Sequence, residues 1–511
     1  MLTHIKYTIL IKFTTIINQK FIILFKNMQM ISTIGAGIGG IATAIRLARK
    51  GYQVRVFEQQ GKPGGKLNEL RVNGFRFDAG PSLFTLPQLV DELIAGANTS
   101  AFSYQKLELI TRYFFPDGTV LHAWAEPERF AEEVADKLND KHTDVLRYLK
   151  ESRELYELTA NTFVYSPFPQ LKNFFTLQSL KLAMNPKKLK AFETMHEVNC
   201  KFFSDFRTIQ LFDRYATYNG SNPYLAPGTL TMIPHLEHNI GAYFPNEGMY
   251  AITNELVRIA ESLGVEFVYN AHVDKIDTRN SRVVGINVNG SGVESNYVVN
   301  NTDIFTAYQT MLNEVPLASR LAAQQPSSSA LIFYFGVKGT HPQLDVHNIL
   351  FTANYFSEFK AMEQGSISDD PTVYIFITSK RIATDAPDGH ENWFVMINVP
   401  PNTGQNWDEL RLKAREAILA KVKRMVGIDL ADLIVAEDYL DPVRIEQRTG
   451  SFRGSLYGIS SNNRMAAFNR HPNRSKNVKG LYFVGGSVHP GGGIPLCLAS
   501  AKIVDSFFKP L

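Results

Sequence analysis

The 511 residues carry 44% hydrophobic side chains at a mean hydropathy of −0.13, which describes an ordered globular chain long enough for two or more domains. The balance of 53 basic to 49 acidic residues leaves a net charge of only +4, too weak a field to argue for nucleic acid. The two cysteines, Cys200 and Cys497, lie far apart and in no CxxC, so they can build neither a thiolate metal site nor a disulfide framework, and a reducing compartment is the expected setting.

The first 30 residues are apolar but interrupted by Lys6, Lys12, Lys20 and Lys26. No unbroken run reaches the ~18 apolar residues of a membrane span, and no small-residue cleavage site follows. The segment reads as an over-extended start outside the fold, with Met28 or Met30 as initiator; a basic membrane-surface anchor is the competing reading. Ile31 to Ile34 then predicts a short buried strand, and Gly35, Gly37 and Gly40 follow in G-x-G-x-x-G spacing. In that motif Gly35 permits a tight turn, Gly37 lets backbone approach a pyrophosphate, and Gly40 lets the helix pack close to the sheet. The helix start offers free N–H groups and a positive dipole end to phosphates. The next strand, YQVRVFE, ends at Glu58, about 20 residues on, where the fingerprint places an acid for a ribose hydroxyl.

Next stands QQGKPGGKLNELRVNGFRFDAGPS. Gly64 and Gly65 allow close backbone approach and Lys66 offers a cation to offset phosphate charge; a surface turn with a solvated lysine is the alternative. Together with Phe77, Asp78, Ala79, Gly80 and Pro81, this stretch resembles the second signature of FAD-dependent amine-oxidase-type flavoproteins. The resemblance implies FAD, with the Gly64–Gly65 backbone along the pyrophosphate and ribityl; NAD alone is the competing cofactor.

Residues 99–240 read as mainly helical and rich in Phe, Tyr and Leu. Phe174, Leu177, Leu180 and Met184 recur on one helical face beside Lys181, Lys187, Lys188 and Lys190, either a packed helix with a basic end or an interfacial helix with its lysines at headgroups. GSNPYLAPGTL and EHNIGAYFPNEGMY resemble loop segments of phytoene-type desaturases. A helix follows, with Met249, Ile252, Leu256, Ile259 and Leu263 as its buried face, then Gly264, a strand and Val273. In the resembled family the Val273 position meets adenine by its backbone. SALIFYFGV, TVYIFITSK and WFVMINVP predict three strands whose alternation gives one face to a cavity. NWDELRLKAREAILAKVKRMVG predicts a helix capped by Asn406, with Glu409 three residues on, stopped by Gly427 and bearing a solvated charged face.

The C-terminal GLYFVGGSVHPGGGIPLCLASAKIVDSFF predicts a strand ending at Gly485 and Gly486, then Ser487, and a helix opened by Gly493, Ile494 and Pro495. It resembles the last FAD-binding segment of carotenoid desaturases, with Gly486–Ser487 where many flavoproteins of the wider clan carry an acid. The resemblance covers Ile31 to the C terminus. It implies an α/β fold with a Rossmann-like FAD/NAD(P)-binding domain of the amine-oxidase-like type, a discontinuous α+β substrate domain and a helical cap. The expected divisions are 31–98, 241–308 and 450–511 for FAD, and 99–240 and 309–449 for substrate.

No Ser/His/Asp set, His-x-x-x-His or clustered carboxylates are visible, so a flavin is expected to carry the redox chemistry, with no metal. The candidate base is His489, with a backbone-bonded loop histidine as the alternative; Glu237, His238 and Arg214 are further candidates from the cap side. Within the family, GGSVHPGGGIPLCLASAKI looks closer to hydroxycarotenoid 3,4-desaturases than to phytoene desaturases. The expected activity is 1-hydroxycarotenoid 3,4-desaturation of a long apolar substrate, at the inner face of the cytoplasmic membrane. Phytoene desaturation, a non-catalytic isoprenoid carrier of the same fold, and an amine oxidase are the alternatives. Cys497 falls within the last helix and reads as a packed thiol rather than a covalent flavin link.

Overall fold

The computed structural model describes residues 29–96, 101–167 and 188–511. The expectations for residues 1–28 of the leader, and for a helical face at Phe174, Leu177, Leu180 and Met184 with Lys181 and Lys187, lie outside these residues. Met30, expected to lie outside the fold with the leader, instead opens the first strand and pairs with Gln53. Of the basic end, Lys188 is exposed, and Lys190 pairs with Glu151 at 2.9 Å.

Five short strands form a parallel sheet in the order Leu481–Phe483, Tyr297–Asn300, Met30–Ile34, Gln53–Phe57, Glu266–Val268. Parallel pairing requires crossovers, and the helices Ile38–Arg49, Tyr250–Ser262 and Ile494–Asp505 pack together beside this sheet. Their small and aliphatic buried residues, Ile41, Ala42, Ala44, Ile252, Leu256, Leu498 and Ala501, share one core with Val54 and Val56. Chain order reverses around Met30–Ile34, so a crevice opens beyond its carboxyl end.

A second, seven-stranded sheet runs Ile434–Leu440, Ser329–Lys338, His390–Val399, Val373–Ile377, His347–Leu350, Leu109–Phe114, Val120–Trp124. Only the pair His347–Leu350 and Leu109–Phe114 is parallel. Alternation divides its faces. Leu331, Phe333, Val395 and Ile397 pack on Ala414, Ile418 and Val422 of the helix Trp407–Val426, while Ile332 and Phe394 face the helical cap through Phe130, Tyr148, Phe203 and Phe212. The Asn406 side chain accepts the Glu409 N–H, and Gly427 closes the helix at φ 78°, a left-handed conformation that glycine adopts freely.

Three local expectations are corrected. The region after residue 99 begins with strands, Leu109–Phe114 and Val120–Trp124, joined through a PDG turn, before its helices start at Pro127–Lys137. Leu263 is 38% exposed at the end of its helix, because the C-terminal turn has rotated past the core. Lys421, on the face expected to be solvated, is 1% exposed; Asp370 at 2.9 Å and the Phe351 carbonyl at 3.0 Å compensate its charge.

Candidate flavin and substrate cavity

Beyond the carboxyl end of the strand Met30–Ile34 lies a cavity of about 780 Å³. Its wall brings together Gly35, Gly37, Glu58, Gly64, Gly65, Lys66, Gly80, Pro81, Val273, Gly486, Ser487, Gly493, Ile494 and Pro495, residues drawn from four separate parts of the chain. Gly40 and His489 are not on that wall. Gly40 lies beneath it, where an added Cβ would stand 2.3 Å from the Gly35 carbonyl oxygen. His489 is buried, and its Nε2 donates to the Ser166 carbonyl at 3.0 Å; burial lowers its pKa to about 4. The ring is therefore neutral and held by backbone rather than presented to the cavity.

Two helices begin at the wall. Gly37 caps Ile38–Arg49 and Gly493 caps Ile494–Asp505, in both cases without a side-chain hydrogen bond and without an acid in the first turn. Their first N–H groups and positive dipole ends are left to a ligand, which suits an anionic group. The Glu58 carboxylate accepts the Ala36 N–H at 2.8 Å and the Gln60 N–H at 2.9 Å. Burial raises its pKa, and those backbone bonds oppose the rise. Each oxygen keeps a lone pair for a further donor, as a ribose hydroxyl would be. The Lys66 ammonium donates to the Ser455 and Leu456 carbonyls at 2.9 and 2.8 Å, so two of its three protons tie down the opposite wall. Burial lowers its pKa to about 8. Ser487 Oγ accepts the Ile304 N–H at 3.0 Å and keeps its own proton. Close approach, donating N–H groups, an accepting carboxylate and a cation are the groups a flavin dinucleotide calls for. Asn301 carried no expected role, yet it lies on the wall, and added Cβ atoms at Gly37 and Gly39 would meet its side chain at 2.7 and 2.9 Å. Its signal is a polar pair at the end of a buried strand, VVNN, with Asn300 closing the strand and Asn301 following it.

Away from the glycines the cavity runs along the large sheet, over Ala330, Ile332, Ile349, Phe394, Met396 and Leu440. A polar cluster interrupts this apolar wall. Arg214 is paired with Glu237 at 3.3 Å, and the two are 7% and 1% exposed. Tyr215 and Tyr218 also donate to Glu237, and Arg214 donates to the hydroxyls of Tyr113 and Tyr218. Burial disfavours the Glu237 anion, but Arg214, His238 and the tyrosine hydroxyls outweigh it and hold the carboxyl below the usual range. His238 bonds the Tyr215 hydroxyl at 2.8 Å, lies off the cavity wall, and is pulled by burial to about 4. Thus Arg214 and Glu237 reach the cavity and His238 does not. Among the described residues no group of three or more His, Cys, Asp or Glu is placed to hold a metal.

Residues 38–504 match the family described as flavin containing amine oxidoreductase. The chain is 47% identical over 479 residues, 93% of its length, to a 1-hydroxycarotenoid 3,4-desaturase of Flavobacterium sp. (strain P99-3), covering 98% of that protein. It is 33% identical to a 4,4'-diapolycopene oxygenase of Methylomonas sp, with 93% of this chain and 97% of that one aligned. An oxidoreductase from Methanosarcina mazei shares the fold at a TM-score of 0.62 and 14% identity, over 93% of this chain and all of that one.

Proposed function

The chain belongs to the flavin containing amine oxidoreductase family and is a flavin-dependent oxidoreductase, and from that premise we propose that it is an FAD-dependent carotenoid desaturase acting as a 1-hydroxycarotenoid 3,4-desaturase. The observation that carries this reading is the continuous cavity, which starts between two helix N termini that no side chain caps and ends along apolar side chains of the large sheet. In this reading the N–H groups after Gly37 take the pyrophosphate, Glu58 a ribose hydroxyl, Val273 the adenine, and Gly64, Gly65, Gly486 and Ser487 the ribityl. When bound, the flavin supplies the two-electron oxidation that no side chain here can perform. The chain's own contribution is position and dryness. Ile332, Ile349, Phe394 and Met396 hold a linear polyene by apolar contact and keep water from the reacting bond.

Carotenoids reside in lipid, so the proposed place of work is the cytoplasmic face of the membrane, held peripherally. Phe192 and Met465 are exposed by 73% and 54%, and the Arg464 guanidinium donates to the Phe192 carbonyl at 2.6 Å between them, an arrangement that supports interfacial contact. Among the described residues no helix is long and apolar enough to cross a membrane. The deciding experiment expresses the full chain in one host that makes 1-hydroxycarotenoids and another that makes phytoene, and reads the pigment spectra. A red shift is expected in the first host. Conversion of phytoene alone would defeat the reading, and an isoprenoid held without turnover by the flavin-loaded protein would make the chain a carrier.

A further inference from the structure

The polar cluster is incomplete in a specific way. On the cavity wall, His347 Nε2 and Arg214 Nε are buried and find no hydrogen-bond partner. The other nitrogens of Arg214 are occupied by Tyr113, Tyr218 and Glu237. The His347 tautomer follows from its neighbour. The Tyr374 hydroxyl donates its one proton to Ser82 Oγ at 2.8 Å, so the 2.8 Å contact between His347 Nδ1 and that hydroxyl is donated by Nδ1–H. Burial pulls His347 to about 4, so the ring is neutral and Nε2 carries a bare lone pair. The strand His347–Leu350 runs parallel to Leu109–Phe114 with Ile349 beside Tyr113, so His347 lies on the same sheet face as Tyr113, whose hydroxyl accepts from Arg214, and ring and cluster line the same cavity. One unpaired acceptor and one unpaired donor therefore remain there. A neutral hydroxyl satisfies both from a single oxygen.

We propose that the hydroxyl on the end group of the substrate docks at this point, donating to His347 Nε2 and accepting from Arg214 Nε–H, and that this contact selects the bond dehydrogenated. The inference rests on the hydroxycarotenoid reading above and adds the residues that recognise the oxygen. Ser82 directly follows the Gly80–Pro81 segment assigned to the flavin, and Tyr374 links it to His347. Three single bonds separate a 1-hydroxyl oxygen from carbon 3, roughly 4 Å. An oxygen held beside His347 thus keeps the 3,4-bond close to the Gly80–Pro81 wall, whereas a polyene without it is free to slide. A site built to hydrogen-bond a hydroxyl rejects the analogue that lacks it.

The test compares wild type with His347→Asn, which keeps a donor for Tyr374 but has no atom at Nε2, and with Tyr374→Phe, which frees Nδ1 and lets the tautomer reverse. Each flavin-loaded enzyme is given a 1-hydroxy polyene and the same polyene with hydrogen in place of the hydroxyl. Binding is read by quenching of flavin fluorescence, and turnover as kcat and KM. We expect the wild-type preference for the hydroxylated polyene to fall about tenfold in either variant, mainly through KM and Kd. Flavin content and the thermal midpoint establish that each variant is folded. An unchanged preference in a folded variant overturns the inference. Failure of wild type to turn over either polyene counts instead against the desaturase reading, and the binding ratio still decides the docking.

Discussion

Replacing Gly40 by alanine is expected to cost the protein most of its flavin while leaving it folded. A Cβ at position 40 would stand 2.3 Å from the Gly35 carbonyl oxygen and 3.2 Å from the Asn301 side chain. A relaxed carbon–oxygen contact needs ~3.3 Å, so the helix Ile38–Arg49 or the turn before it must retreat by about 1 Å. Overpacking of this kind costs ~1–3 kcal/mol, a fraction of the ~5–15 kcal/mol that stabilises an ordinary domain. The same displacement takes an N–H···O distance from ~2.9 Å to nearly ~4 Å, which is no longer a hydrogen bond. Losing one charge-assisted bond of ~1.5–3 kcal/mol lowers flavin affinity by ~10- to 100-fold. Fluorescence titration of the apoprotein with FAD measures that loss, and the thermal midpoint shows the fold is retained. A second-site change sharpens the test. The clash at Gly40 is with main chain, so Asn301→Ala should not relieve it. The close contact of a Cβ at Gly37 is with Asn301 Nδ2, at 2.7 Å, so Asn301→Ala should restore part of the thermal midpoint of Gly37→Ala. Wild-type flavin affinity in Gly40→Ala, or its rescue by Asn301→Ala, would refute the reasoning.

Glu58→Ala removes the acceptor of two backbone N–H groups and should destabilise the apoprotein by ~1–3 kcal/mol in urea unfolding, with weaker FAD binding in the same titration. Asn406→Ala deletes the N-cap of a helix on the far side of the large sheet and should cost ~1 kcal/mol in urea unfolding without changing flavin content. Burial raises Glu358 to about 7 from an ordinary 4.5, so the folded state binds more protons than the unfolded one between those values. The stability this group contributes is then present below about 4.5 and is lost as pH rises toward 7. Glu358→Gln keeps an acceptor for Thr372 and should flatten that slope, leaving the variant relatively more stable above pH 7 in unfolding curves taken across the range.

Some features could be read without coordinates because their causes are local. The helix Trp407–Val426 begins at an asparagine that bonds three residues ahead and ends at a glycine that turns left-handed; both signals act within one turn of chain. The strands Ser329–Lys338, Val373–Ile377 and His390–Val399 announce themselves by β-branched and aromatic runs bounded by turn residues. The glycine spacing after Ile34 shows where backbone must come close to something. Leu109–Phe114 and Val120–Trp124 carried the same kind of signal around PDG, but helical periodicity downstream obscured it.

Other features depend on which distant groups meet. Nothing local explains why Lys421 can be buried, since its charge is tolerated because Asp370, from the loop between the helix Tyr355–Glu363 and the strand Val373–Ile377, and the Phe351 carbonyl reach it. Arg214 and Glu237 stand 23 positions apart on different short helices, and their pairing exists only after the cap closes on the sheet. His489 looked well placed between glycines, yet the fold turns its ring toward the Ser166 carbonyl. Backbone conformation is chosen over a few residues by sterics and hydrogen bonding, so sequence alone determined the elements and the glycine cradle. The energy of a buried polar group is set by partners that only folding brings within reach, so the tertiary structure decided which of these groups face the cavity.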